Sequence, residues 1–222
     1  MAYAVTVSNG GEIVAALATA VVSQRTYLSE IDGAIGDGDH GVNMAKGFML
    51  CAAAMAGQRL SLPQALRCLS ESLMEGIGGS MGPLYGSLFM GMAQGAPDGA
   101  TLRREDVLSM LQGGLRELQT VSSAQVGDKT MMDAYVPAVS AFEAALRQDD
   151  SLEQSLCMMT RAAALGRDST YDLIARVGRA SRLGERSRGA LDAGAVSCSL
   201  LLSALADALL ACSNDGEKRC FL

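Results

Sequence analysis

The segment "AIGDGDHGVNMAKG", residues 34–47, places two carboxylates and the only histidine of the chain among glycines, where a turn gives way to helical spacing. A third acid, Asp32, lies just upstream of Asp37 and Asp39. Carboxylates this close repel one another unless a cation neutralises them, and their oxygens favour Mg²⁺, Ca²⁺ or Mn²⁺. The segment therefore predicts a divalent-metal site. The alternative is a solvated acidic turn in which Asp39 only caps the next helix.

The same segment does not match a calcium-binding EF-hand loop. That loop needs Gly at position 6 and Glu at position 12, which are Asp37 and Asn43 when counted from Asp32. His40 follows the acids directly, at a predicted helix start. From there it could donate to a phosphate oxygen or act as a structural hydrogen-bonding residue, and the sequence leaves both roles open.

Composition predicts an all-α chain. With 222 residues it is long enough for one sizeable core, so we expect a single domain over residues 1–222. Hydrophobic residues make up 49% and aromatics only 4%, a balance typical of packed helices rather than sheets. The net charge of −6 argues against a nucleic-acid partner, because phosphate backbones attract clustered Lys and Arg.

Apolar runs and cysteines indicate a cytoplasmic location. The longest apolar runs, residues 14–22 and 200–210, are shorter than the roughly 18 residues that cross a bilayer, which predicts no membrane partner. No Lys or Arg precedes the first apolar stretch, as a signal peptide would require. The cysteines are scattered without a CxxC pair and resemble reduced core residues; they are residues 51, 68, 157, 198, 212 and 220.

Apolar spacing predicts eight helices and no strands, packed as an antiparallel bundle. Ser61 and Gln64 form the signature of a capping box for the third helix, and Asp128 is the expected cap of the sixth. The predicted helices span residues 10–31, 39–57, 62–76, 83–95, 104–122, 130–147, 151–165 and 192–212. Alternation then brings four polar, Gly-containing loops to one end, near residues 32–39, 77–82, 123–129 and 166–191.

Each of the other three loops could bind phosphate or nucleotide, or could serve only the structure or the surface of the fold. "GIGGSMGPLYGS" (76–87) could bring backbone N–H groups and Ser80 to an anion, or its glycines could serve close helix packing. "QVGDKTMMDAYVPA" (125–138) offers Lys129 and Thr130 to phosphate and two methionines to a base, or the methionines are core. "GRASRLGERSRGALDAGA" (178–195) concentrates arginines that suit phosphate or form solvated surface.

Together the four loops favour a magnesium–nucleotide ligand. The acids suit Mg²⁺, and the helix N-termini and arginines suit phosphates. Phosphoryl transfer is catalysed mostly by positioning and charge neutralisation, so such a site could belong to a kinase that uses no covalent nucleophile.

The four loop motifs, in this order, resemble the nucleotide-binding L subunit of dihydroxyacetone kinase over essentially the whole chain. The resemblance implies a barrel of eight antiparallel amphipathic helices with ADP or ATP at one end. It implies that Asp32, Asp37 and Asp39 hold two Mg²⁺ ions and, with His40, form the catalytic set. It also implies that Asn43, Gly79 and Ser80 contact the phosphates together with His40. Gly127 and Met132 would line the nucleotide pocket, and Arg186 and Asp192 would close over it.

The resemblance also implies partners. In that family a separate K subunit holds dihydroxyacetone on a histidine, so the small ketose or ketone would reach this chain only through such a subunit. Either ATP exchanges freely, or ADP stays bound and is recharged by a phosphocarrier protein of the sugar phosphotransferase system. The alternative is a non-catalytic nucleotide-binding module that regulates a transcription factor. A homodimer is left open.

Two stretches depart from the family pattern. Residues 189–195 read Gly-Ala-Leu-Asp-Ala-Gly-Ala, where the family commonly has Gly-His-x-Asp-Pro-Gly-Ala, although Asp192 is retained. The "GGSMGP" segment replaces a commoner Gly-Gly-Thr-Ser-Gly. These differences bear on the substrate, the nucleotide affinity and the partner more than on the acidic cluster.

Overall fold

Helices account for most of the structure, a computed structural model that describes residues 4–212. The predominantly helical class predicted from composition is confirmed. Within the described range there are nine α-helices, namely α1 (Gly10–Ser23), α2 (Arg25–Ile35), α3 (His40–Ala54), α4 (Leu62–Gly76), α5 (Met81–Gly95), α6 (Arg104–Val121), α7 (Met132–Arg147), α8 (Leu152–Ser169) and α9 (Ala193–Ala211). A 3₁₀ helix covers Arg179–Ser187, and two strands are β1 (Ala4–Thr6) and β2 (Thr101–Arg103).

Three features differ from the predicted elements, and one is the 3₁₀ helix Arg179–Ser187, which lies in a stretch predicted to be a loop. The single helix expected over residues 10–31 is two helices, because the chain turns at Gln24, whose N–H bonds to the carbonyls of Ala20, Val21 and Val22. The expectation of no strands is wrong: β1 and β2 form an antiparallel pair in which Val5 lies opposite Leu102. Each strand has three residues, too few for an alternating pattern to be visible in the sequence.

The two predicted helix caps have different outcomes. The Ser61 capping box is confirmed, because its hydroxyl accepts from the N–H of Gln64 and the Gln64 side chain accepts from the N–H of Ser61. The Asp128 cap is wrong. Helix α7 begins four residues later, at Met132, and the Asp128 carboxylate accepts from the N–H of Gln125 at 2.8 Å.

Helices adjacent in the chain pack against each other from α2 to α9, and α1 contacts both α3 and α9. Their apolar faces share one cluster of buried residues. Close approach of α5 and α6 depends on Gly91 and Gly113, because a β-carbon on either would overlap the backbone of the other. Helix α9 closes the packing between α1 and α8.

Helix α9 is an apolar helix that is longer than the apolar run at residues 200–210 seen in the sequence. It has 19 residues and a mean hydropathy of 1.8, so by length and composition alone it could cross a membrane. However, 61% of that stretch is buried inside the structure, as in the core helix of a folded domain.

The described cysteines are free thiols, but they are not all core residues. Cys51 and Cys198 are buried, whereas Cys157 is exposed on α8. Cys220 lies outside the described residues.

Candidate functional site

The N-termini of α3, α5, α7 and α9 converge at one end of the structure, and the first turns of α9 connect them. The hydroxyl oxygen of Ser197 on α9 contacts two of the other helices. It lies 2.8 Å from the Nε2 atom of His40 on α3 and 2.6 Å from the hydroxyl of Tyr85 on α5. A β-carbon on Gly194 of α9 would lie 3.4 Å from the nitrogen of Met131, directly before α7. Helix N-termini carry unpaired N–H groups and a positive dipole end, so this surface suits an anion.

The three acids singled out in the sequence come together at this end. One carboxylate oxygen from each of Asp32, Asp37 and Asp39 lies within 4.8 Å of the others. Asp32 belongs to the last turn of α2, and its carboxylate accepts a hydrogen bond from the N–H of His40 at 3.3 Å. The set consists of hard oxygen donors, the ligand type that Mg²⁺ and Ca²⁺ use in proteins.

Two glycines allow α2 and α3 to bring these carboxylates together. A β-carbon at Gly36 would overlap the Asp32 carboxylate. A β-carbon at Gly41 would overlap the carbonyl oxygen of Arg25 and would lie 2.8 Å from the nitrogen of Ser29, so α3 could not lie as close to α2. The spacing of acids and glycines in this loop is therefore a geometric requirement of the cluster.

The arginine-rich loop, residues 174–189, contacts the acidic cluster. Arg179, the first residue of the 3₁₀ helix, forms an ion pair with Asp37. Arg186 lies further along the same helix and is exposed. Arg186 was predicted to close over the ligand, whereas no individual role was predicted for Arg179, because an ion pair between loops more than a hundred residues apart leaves no local signal in the sequence.

His40 is part of a buried hydrogen-bonded group. It is 6% exposed, and burial lowers the pKa of its imidazole to about 4, although the nearby Asp32 carboxylate opposes the shift. The ring is therefore neutral at neutral pH. Its partner Ser197 also contacts the carbonyl of Ala193, and Tyr85 donates to the carbonyl of Gly194 or to Ser197. Neither Ser197 nor Tyr85 was identified from the sequence, because both lie in apolar helical segments.

The glycine-rich loop before α5 is open. Ser80 precedes the helix and its hydroxyl makes no capping bond, while Gly79 has a φ of +73° and open space around it. The first N–H groups of α5 are therefore not satisfied by a side chain of the loop itself. Asn43, one turn into α3, is half-buried.

The loop before α7 is shaped by a buried acid. Asp133 is 1% exposed, and its two carboxylate oxygens accept from the N–H groups of Gly127 at 2.6 Å and Thr130 at 2.7 Å. Gly127 has a φ of +96°, with free space where a side chain would be. Met132 is 2% exposed and belongs to the hydrophobic core.

The structure contradicts the prediction that Lys129 serves phosphate. The side chain is 2% exposed and points into the protein. Its ammonium group donates to three backbone carbonyl oxygens, those of Thr170 (2.7 Å), Leu173 (3.2 Å) and Ala190 (2.6 Å). With three partners, all the donor capacity of this ammonium is used within the fold.

Asp192 caps α9 at the same end. Its carboxylate accepts from the N–H of Ala195 at 2.7 Å, and its own N–H donates to the hydroxyl of Thr170 at 3.0 Å. Burial raises the pKa of this carboxyl to about 7, and the negative charge of Asp133 contributes in the same direction.

Several known proteins are similar to this chain. The ADP-binding subunit DhaL of the PEP-dependent dihydroxyacetone kinase 1 of Listeria innocua is 37% identical over 83% of this chain and 88% of that protein. The corresponding subunit of Escherichia coli is 34% identical over the same shares. The D-erythrulose kinase of Mycolicibacterium smegmatis is 34% identical over 91% of this chain but only 35% of its own length.

A solved structure shares the fold. The dihydroxyacetone kinase of C. freundii in complex with AMP-PNP and Mg²⁺ superposes with a TM-score of 0.66 and 25% identity, covering 89% of this chain. This chain spans about a third of that longer protein, 33%. The family model described as the DAK2 domain matches residues 34–207, which include Asp37 and Asp39 of the acidic cluster, the α5 and α7 N-termini and the arginine-rich loop. The chain therefore belongs to the DAK2 domain family.

Proposed function

We propose that this chain is the ADP- or ATP-binding subunit of a dihydroxyacetone-type kinase. The observation that carries the proposal is the convergence of Asp32, Asp37 and Asp39 to within 4.8 Å beside four helix N-termini. Carboxylates alone would repel a polyphosphate, whereas carboxylates that hold a cation next to N–H donors attract one. The DhaL relatives, which are ADP-binding subunits, support the same conclusion.

In this proposal the three acids hold Mg²⁺, as two ions in the arrangement that the resemblance implies. Bound Mg²⁺ would neutralise the charge that develops on the transferred phosphoryl group. The Asp32 carboxylate also accepts a hydrogen bond from the His40 N–H, which holds one metal-binding side chain of the cluster at the start of α3. The similarity of the fold to a kinase solved in complex with AMP-PNP and Mg²⁺ supports a magnesium–nucleotide ligand.

The remaining predicted residues would bind the nucleotide. The open α5 N-terminus at Gly79 and Ser80 would donate N–H and hydroxyl groups to phosphate oxygens, together with Asn43 and His40. Since the His40 imidazole is neutral, it would contribute a hydrogen bond and not a charge. Gly127 and Met132 would line the pocket, with Met132 buried beneath its surface, and Arg186 and Asp192 would close over the bound ligand.

Catalysis would then depend on positioning. Helix N-termini on packed helices, with the acids and arginines held beside them, need little reorganisation during the reaction. We also propose that the helices form one eight-helix barrel domain over residues 1–222, in which α1 and α2 together count as the first helix. The contacts of α1 with both α3 and α9 support this closure.

The substrate would come from a partner. The only histidine of the chain, His40, is buried among Ser197 and Tyr85, so it is not available to hold a ketone covalently. We propose that a K subunit presents dihydroxyacetone or a related small ketose. The PTS-dependent DhaL of Lactococcus lactis, 37% identical, supports ADP as a bound cofactor that a phosphocarrier recharges.

Calorimetry of ADP binding tests the proposal. Asp37→Ala should abolish Mg²⁺-dependent binding while the helical circular dichroism is retained, because Asp37 is exposed and its ion pair with Arg179 lies at the surface. Asp98→Ala is the matched control, since Asp98 is an exposed acid in the loop after α5. Undiminished affinity in Asp37→Ala would refute the metal assignment.

A second assay separates a kinase subunit from a regulatory module. Phosphate transfer to dihydroxyacetone is measured with a substrate-binding K subunit present. Turnover supports the kinase. Nucleotide binding with no turnover, together with stimulation of a transcription regulator, would instead support the non-catalytic module.

A further inference from the structure

The arginine-rich loop, defined as residues 174–189, is closed at its base by one buried ammonium group. The loop begins after Leu173 and ends before Ala190, and the carbonyl oxygens of these two residues both accept hydrogen bonds from Lys129, at 3.2 and 2.6 Å. Lys129 comes from a different loop, before α7. A single side chain therefore holds both ends of the segment that carries Arg179 and Arg186.

The third partner of Lys129 connects it to α9. The carbonyl of Thr170 at the C-terminal end of α8 accepts from the ammonium at 2.7 Å, while the hydroxyl of Thr170 accepts from the N–H of Asp192 at 3.0 Å. An ammonium is favoured at a helix C-terminus, where the dipole is negative. Lys129 thus fixes the loop, the end of α8 and the cap of α9 relative to one another.

Other bonds at the loop base are weaker constraints. The N–H of Gly189 donates to the carbonyl of Tyr171, and the N–H of Ala175 donates to the hydroxyl of Ser187. These two bonds are neutral, and the bond from the Arg188 guanidinium to the carbonyl of Asp172 is exposed, whereas those of Lys129 are charge-assisted and buried or partly buried. Charge-assisted bonds are roughly twice as strong as neutral ones. Removal of the ammonium would leave one buried and two partly buried acceptors without their donor, so we expect the loop base to open before the helices unfold.

We propose that Lys129 is a positioning residue that holds the arginine-rich loop over the acidic cluster. The part of this inference that concerns nucleotide affinity rests on the proposed function, whereas the part that concerns loop closure does not. The ammonium acts as an internal cation: it organises carbonyl oxygens of the chain as a bound K⁺ or NH₄⁺ ion would.

The first test uses cleavage after Glu185 by a glutamate-specific protease. Glu185 lies within the loop and its side chain is 77% exposed. Lys129→Ala should be cleaved about tenfold faster than the wild type, because the closed loop is a poor substrate and the opened one is not. Lys46→Ala, which removes an exposed lysine from α3, is the control and should be cleaved at the wild-type rate.

Chemical rescue identifies the charge as the cause. n-Propylammonium replaces the side-chain atoms missing from Lys129→Ala, and 1-propanol has the same shape without the charge. We expect propylammonium to slow cleavage back toward the wild-type rate and propanol to have no effect. An unchanged cleavage rate in Lys129→Ala, or equal rescue by propanol, would overturn the inference.

Calorimetry then tests whether closure of the loop affects the affinity of the site for Mg²⁺–ADP. Lys129→Ala should bind Mg²⁺–ADP about tenfold more weakly, as expected when a supporting interaction is lost, and propylammonium should restore the affinity. An opened loop with wild-type affinity would overturn the positioning role. If the wild type itself binds no ADP, the proposed function fails, and the cleavage assay alone decides the loop closure.

A wild-type measurement covers the case in which Lys129→Ala does not fold. The chain has three lysines, at positions 46, 129 and 218, so ¹⁵N-lysine labelling gives few ammonium signals. A buried ammonium with three acceptors exchanges its protons slowly with water. We expect one protected ammonium signal that disappears in Lys129→Arg, and the lack of any protected signal would overturn the inference.

Discussion

At the scale of single residues, His40 shows how the fold changes the meaning of a motif. The sequence left open whether it donates to phosphate or supports the structure. In the fold its Nε2 atom contacts Ser197, and burial lowers the pKa of the ring to about 4. Positive potential at the site therefore comes from helix N-termini and arginines, and not from an imidazolium.

The buried imidazole predicts a pH dependence of stability. Because the pKa of His40 in the folded state lies below the ordinary histidine value of 6.5, the unfolded chain binds more protons between pH 6.5 and 4. The contribution of the neutral His40 ring to the free energy of unfolding is therefore fully present above pH 6.5 and is lost as the pH falls toward 4. We expect the wild type to lose about 2 kcal/mol more than His40→Gln between pH 7 and 5, as measured by urea unfolding. Parallel pH profiles would contradict the burial of a neutral ring.

Gly36 predicts a second effect at the same scale. In Gly36→Ala the new methyl group would overlap the Asp32 carboxylate, which would have to leave its place in the cluster. We expect Mg²⁺-dependent ADP affinity to fall about tenfold in calorimetry, with little loss of helicity. Gly99→Ala, where the methyl group meets open space, is the control. Equal affinities in the two variants would count against the role of the cluster.

At the scale of the elements, local signals were predictable and tertiary ones were not. The start of α4 follows from Ser61 and Gln64, because a capping box lies within four consecutive residues. The break between α1 and α2 at Gln24 has no Gly or Pro to mark it. Likewise Asp128 looked like a helix cap, but the neighbouring acid Asp133 takes the N–H groups of that loop.

The packing of α2 on α3 gives a prediction about these elements. Gly41→Ala would force a methyl group against the carbonyl of Arg25 and separate the two helices. We expect a loss of about 1–3 kcal/mol in the free energy of unfolding, the usual cost of overpacking, together with weaker Mg²⁺-dependent ADP binding. Chemical denaturation and calorimetry measure the two effects. A variant as stable as the wild type would show that α2 and α3 are not in such close contact.

At the scale of the whole molecule, the site joins helices from both ends of the sequence. The three acids were predictable because they lie within one loop. The contacts of Ser197 with His40 and Tyr85 span 157 and 112 residues, so only the packed fold reveals them. The inward orientation of Lys129 was missed for the same reason, since its acceptors lie 41 to 61 residues away.

A ligand that bridges these helices should stabilise the entire fold. With Mg²⁺–ADP at about one hundred times its dissociation constant, we expect an increase of about 8 °C in melting temperature. Chelation of Mg²⁺ with EDTA should abolish the increase, because uncompensated acids repel the phosphates. Adenosine, which lacks phosphates, serves as the control. An equal shift with EDTA present would argue against a cation in the site.

The most direct measurement is anomalous diffraction from crystals grown with Mn²⁺ and ADP. We expect an anomalous peak within coordination distance of Asp32, Asp37 and Asp39, with the ADP phosphates between that peak and the N-terminus of α5. An anomalous peak elsewhere, or ADP bound away from the three carboxylates, would contradict it.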